Sequence, residues 1–175
     1  PIALKPGWRP DKALRIDLPG WRSYIGRLAE VSGQRINDYD DLMAAMKLRL
    51  EHFAANGCTV SDHGLAYVPN VAYDRAVAAE VFGETLLSED GHCTSVRAET
   101  FTVTLLSDLT RIYAKRGWIF QLHLGALRNN NDRGLRELGP DTGFDSIGDF
   151  PQAEGLSRLL NHLDNTNALP KTILY

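Results

Sequence analysis

The chain has 175 residues, 43% of them hydrophobic and 23% charged, with a formal net charge of −3, the composition and length of one soluble globular domain with an ordinary core. Acidic and basic residues are interleaved, which leaves no basic field for nucleic acid and no polybasic segment for a membrane surface. No apolar run approaches the roughly 20 residues of a membrane span, and no signal-peptide pattern opens the chain.

In chain order, Ile2–Leu4 reads as a short first strand. Trp21, Tyr24, Ile25, Leu28 and Val31 then fall at helical spacing and predict a helix over 20–31. A second helix follows, with Asn37 as its N-cap and a stripe of Tyr39, Leu42, Met43, Met46, Leu50 and Phe53. It ends at Gly57, the place of a left-handed C-cap. Residues 58–60 read as a buried strand that delivers Ser61, Asp62 and His63 at its end. Residues 74–82 predict a helix that stops at Gly83, and Ser88 to Gly91 carry a helix-start signal. A long helix over 96–113 halts at Lys115-Arg116-Gly117. After a strand at 118–124 and a polar loop come a helix over 152–163 and a strand over 171–175. Cys58, in an expected strand, and Cys93, in a polar stretch, give no disulfide framework and read as thiols of a reducing cytosol.

The stretch from Trp118 to Asp149 carries the most chemistry. Trp118, Phe120, Leu122 and Leu124 share one face of a strand, while Ile119, Gln121 and His123 share the other. The strand opens into residues 128–149, which hold three consecutive asparagines, four glycines and four aspartates. Such loops carry function on a rigid scaffold. Their Asn and Asp do not match the spacing of a calcium-binding EF-hand; they read as turn and cap residues, with Gly139, Gly143 and Gly148 supplying positive φ.

Strands separated by helices imply right-handed βαβ units in a parallel sheet, whose ligands bind at the C-terminal strand ends. Several residues fall there, each with two readings. Arg9 and Arg128 are either solvated surface groups or bidentate partners for a carboxylate. Asp62 is either a loop and capping carboxylate or a substrate contact. His123 is either a core histidine bonded to backbone or a pocket residue alongside Gln121. His63 faces away from Asp62 if the strand continues, as a supporting or structural group. His52, His92 and His162 are expected to face solvent.

The words LHLGALRNNN and LGPDTGFDSIGD, with GWRPDKAL at 7–14, LEHFAANGCTVSDHGL at 50–65 and LPKTILY at 169–175, resemble the uronate (glucuronate) isomerases, the sugar-acid isomerase branch of the amidohydrolase superfamily. They occur in the family's order and span the chain. The resemblance implies roughly half of a (β/α)8 TIM-like barrel, with about four parallel strands, intervening helices and a helical insertion near residues 67–95. It also implies aldose–ketose isomerisation of uronic acids in the cytoplasm. Arg9 and Arg128 then match arginines that line the substrate pocket. Asp62 matches an active-site aspartate, and His123 a histidine that contacts substrate, so these two are the expected catalytic groups.

The family's His-x-His pair on the first strand and its aspartate on the last have no counterpart here. No metal ligands are therefore expected in this chain, and a divalent metal such as zinc and the general base are expected from the rest of the full-length enzyme. A chain that lacks an initial Met and stops at an apolar strand agrees with a central piece of a larger protein, inactive alone. The expected partner is a small-molecule uronate, with a homo-oligomer compatible with the full-length enzyme. Two other readings stay open: a metal-dependent hydrolase on the same barrel, and a non-catalytic sugar-acid binding module.

Overall fold

In the computed structural model, which describes residues 4–93 and 96–175, parallel strands are layered against helices. The expected strand at Ile2–Leu4 lies largely outside the described residues. Its edge of the sheet is taken by Trp8, which bridges Ser61 in parallel: Trp8 N donates to Val60 O (3.1 Å) and Asp62 N donates to Trp8 O (2.8 Å).

From there the chain turns through α1 (Asp11–Leu14), α2 (Trp21–Ser32) and α3 (Tyr39–Ala55). The N-cap of α3 is Asp38, not Asn37. Its carboxylate accepts from Asp41 N (2.8 Å), while Asp41 Oδ2 reaches back to Asn37 N (2.9 Å). This reciprocal pairing satisfies more terminal donors than an Asn37 cap would. Gly57 adopts φ +83°, as its place after α3 requires.

β1 (Val60–Leu65) is longer and later than the expected 58–60 strand, so Asp62 and His63 are inside it. The alternation holds, with Ser61, His63 and Leu65 buried and Asp62 on the other face. α4 (Arg75–Leu87) is capped by Asp74 and runs through Gly83, where a side chain would meet open space and nothing ends the helix. Ser88 closes α4 and does not start the next helix: its Oγ donates to Thr85 O at 2.9 Å. The segment 67–95, whose last residues are undescribed, carries α4.

α5 (Arg97–Arg116) is the central helix, ending at Gly117 with φ +66°. Phe101, Leu105, Leu106, Leu109 and Tyr113 lie in the core. Its buried Thr102, Ser107 and Thr110 hydroxyls donate to the carbonyls of Ala98, Val103 and Leu106, so the helix buries them without orphaned groups. β2 (Ile119–Leu124) follows, then β3 (Ala126–Leu127), α6 (Asp132–Leu138), β4 (Ser146–Ile147), α7 (Ala153–Asn165) and β5 (Thr172–Leu174).

The main sheet has the order β1-β2-β5, all parallel, with Val60 opposite Ile119 and Phe120 opposite Thr172. With the Trp8 bridge this makes four parallel chain segments. The expected polar loop is more ordered than its composition implies, because β3 and β4 pair antiparallel and Asn131 caps α6 by accepting from Gly134 N (2.9 Å). Gly139 and Gly143 take positive φ there. Gly148 does not; its missing Cβ leaves room for the Phe150 ring. His162 on α7 is half-buried, stacked on Tyr73 with ring centroids 4.8 Å apart, contrary to the expected solvent-facing side.

Among the described residues no helix is long and apolar enough to cross a membrane.

Candidate functional site

Three short segments converge at the C-terminal ends of the strands. The Trp8 bridge puts Arg9 beside β1 at Asp62, and Pro10 then starts α1, which carries Asp11 in its first turn. β1 and β2 run in register with Gly64 opposite His123. After β2, Gly125 turns the chain at φ +84°, a conformation that favours glycine, and sends it into β3 and on to Arg128.

Asp62 joins the first and third of these segments. Its Oδ2 is 3.2 Å from Arg9 Nη1, and its Oδ1 is 2.9 Å from His123 Nε2, off the direction of a linear hydrogen bond. The His123 ring lies flat on Tyr175, with centroids 4.3 Å apart and planes 4° from parallel. Pairing of β2 with β5 enforces that stack, because Tyr175 N donates to Leu122 O (2.9 Å) and Leu124 N to Tyr175 O (3.1 Å).

Beneath Arg9 lies a second carboxylate. Asp11 Oδ2 accepts from Arg9 Nε (3.0 Å) and from Gly64 N (3.0 Å). Its Oδ1 is 3.2 Å from Nδ1 of His63, which is fully buried against Tyr113 and Phe120. Burial alone would raise the Asp11 pKa. His63, the Gly64 amide and Arg9 outweigh it and hold the carboxyl below its ordinary value. The hydrogen bond to Asp11 in turn raises the Arg9 pKa. Arg9, with half its side chain exposed, is thus a fixed cation at the surface of the site.

A cavity of about 570 Å³ opens above these groups, within the usual range for a small-molecule site. Arg9, Lys12, Arg15, Arg27 and Arg128 line it with His123, against the carboxylates of Asp11 and Asp141. The excess of cations favours an anionic ligand. Arg15 is held by Asp17 through two 3.0 Å hydrogen bonds. Arg128 Nη1 donates to Asp145 Oδ2 at 2.5 Å, and Asp145 Oδ1 accepts from Asn129 N (3.0 Å), which with Arg128 lowers the Asp145 pKa. Tyr24, on α2, also lines the cavity; burial first and Asp11 second raise its pKa, so its hydroxyl stays protonated.

Of the residues singled out from sequence, Arg9, His123 and Arg128 line this cavity together. Asp62 does not line it and stands behind, joining Arg9 to His123. His63 faces away from Asp62 into the core, as its place on the strand requires. Sequence reasoning missed Asp11, Lys12, Arg15 and Arg27. The DK pair directly after GWRP was the available signal for the first two; nothing local marks Arg27, which the packing of α2 brings in. Among the described residues no group of three or more His, Cys, Asp or Glu could hold a metal ion.

The family model described as UxaC: Glucuronate isomerase matches residues 1–175. Curated uronate isomerases from Salmonella arizonae and Salmonella typhi are each 48% identical over 180 residues, covering 99% of this chain and 37% of their own length. The chain thus spans little more than a third of the relatives it matches. Among solved structures, the uronate isomerase of Thermotoga maritima superposes with a TM-score of 0.87 at 32% identity, over 98% of this chain and 37% of that one. The glucuronate isomerase of Caulobacter crescentus gives 0.81 at 28%, over 97% and 34%. The parallel segments and helices are therefore part of the barrel-type fold those enzymes share. On the family match along its whole length, the chain belongs to the glucuronate isomerase family.

Proposed function

We propose that the full-length protein interconverts uronic acids between aldose and ketose forms, D-glucuronate with D-fructuronate and D-galacturonate with D-tagaturonate, and that this chain forms one wall of the substrate site. The observation that carries the reading is the junction of Arg9 and His123 through Asp62 at the strand ends, facing a cavity with five cationic side chains.

The reaction moves one proton between adjacent carbons and another between their oxygens, through an enediol-type intermediate. Charge develops on those oxygens and calls for a fixed cation and a group that moves a proton at oxygen. Arg9 is the fixed cation. His123 has Nε2 turned to Asp62 at 2.9 Å, which leaves Nδ1 for a sugar hydroxyl. Arg128 pairs with the substrate carboxylate through its planar guanidinium. The base that takes the carbon-bound proton, and the ligands of any divalent metal, belong to residues beyond those described. The reading also carries a cytoplasmic enzyme and a small-molecule partner.

The test is incubation of the full-length protein with D-glucuronate and D-galacturonate in deuterated water, followed by proton NMR. Appearance of the ketose signals is the expected result. No conversion of either acid would refute the proposal.

A further inference from the structure

Arg9 is located atom by atom. Its Nε donates to Asp11 Oδ2 at 3.0 Å, and its Nη1 stands 3.2 Å from Asp62 Oδ2. Its Nη2 passes over Gly64, where a Cβ would lie only 2.8 Å away. Each of the three nitrogens is set by a different residue. Asp11 Oδ2 is itself fixed from two sides, by Arg9 and by the Gly64 amide at 3.0 Å, while its Oδ1 lies 3.2 Å from buried His63 Nδ1. Gly64 has ordinary strand geometry with no positive φ, so backbone conformation gives no reason for a glycine. The space its missing side chain leaves is filled by the guanidinium.

From these contacts we infer that Asp11 and Gly64 are positioning residues for substrate binding, acting through Arg9: Asp11 sets the direction of its Nε edge, and Gly64 opens the slot that admits Nη2. The inference rests on the proposed uronate isomerisation and adds to it two residues that need not touch substrate. Without the slot, Arg9 would be pushed off Asp62 and out of line with His123. A mislocated guanidinium still carries its charge but no longer presents its fork to an oxyanion, and displacements of about 1 Å cost large factors in such sites. Because the atom displaced is the far end of a flexible side chain, the fold itself is little affected.

The experiment is a double-mutant cycle in the full-length protein, with steady-state kinetics on D-glucuronate and thermal melts. Gly64→Ala is expected to raise KM about tenfold or more while the melting temperature stays within about 2 °C of the unaltered protein. Arg9→Lys lacks the Nη2 that the new methyl would strike. In that background Gly64→Ala is expected to change KM by less than about twofold, a non-additivity that a merely structural role would not give. Asp11→Asn is expected to raise KM in the same direction, with partial recovery in Asp11→Glu. Unchanged KM in Gly64→Ala, or an equal effect of Gly64→Ala in both backgrounds, would overturn the inference. Absence of uronate conversion by the unaltered protein would bring down the proposed function and this inference together, whereas a working enzyme indifferent to Gly64→Ala removes this inference alone.

Discussion

His162 lies flat on Tyr73, and its Nε2 meets Arg111 Nη2 at 2.9 Å, where a neutral imidazole accepts and the guanidinium donates. Arg111 also faces Asp108, whose carboxylate accepts from Tyr39 OH (3.0 Å), Tyr73 OH (3.1 Å) and Arg75 Nη1 (2.7 Å). Burial first and Arg111 second lower the His162 pKa below 6.5. The unfolded chain therefore takes up this proton at higher pH than the folded one. The stability involved is fully present above pH 6.5 and is lost as pH falls through the folded value. The melting temperature is expected to drop between about pH 7 and about pH 5, and His162→Gln is expected to flatten that part of the profile. Identical slopes for the two proteins would contradict this account. A helix position in a sequence cannot announce such a network, because its members come from α3, α4, α5, α7 and the segment before α4.

At the scale of elements, α7 rests directly on the turn after β1. A Cβ built on Gly155 would collide with the Val68 carbonyl oxygen, a backbone atom that cannot swing aside. Gly155→Ala should gain up to about 1 kcal/mol in helix propensity, but overpacking against backbone costs about 1–3 kcal/mol or more. The second effect wins, and urea denaturation is expected to show net destabilisation; a variant as stable as the parent would contradict the close packing. Such contacts explain which elements the sequence made legible. The alternation in β2, the left-handed ends at Gly57 and Gly117 and the stripe on α3 depend on neighbours within one turn or one strand, and they are readable. Gly83 misled because a glycine can sit inside a helix when nothing there requires another ending. The pairing of β3 with β4, across a stretch rich in Asn, Asp and Gly, depends on hydrogen bonds from Asn129 and Asn130 to residues 144–146, which composition does not reveal.

At the scale of the whole molecule, one parallel arrangement puts the site where such sheets bind ligands, at the C-terminal strand ends. Arg9, Asp62 and His123 were legible because each follows or occupies a strand and carries a side chain with a chemical use. Arg15 and Arg27 were not, since they reach the cavity only when α1 and α2 fold over the strand ends. The central claim is that Arg9 and His123 act on one bound uronate. Its most direct test is kcat/KM for D-glucuronate in the full-length protein bearing Arg9→Met or His123→Asn, with thermal melts alongside. Each variant is expected to lose about a hundredfold or more while its melting temperature stays near that of the parent. Near-parental turnover in a folded variant would contradict the claim for that residue.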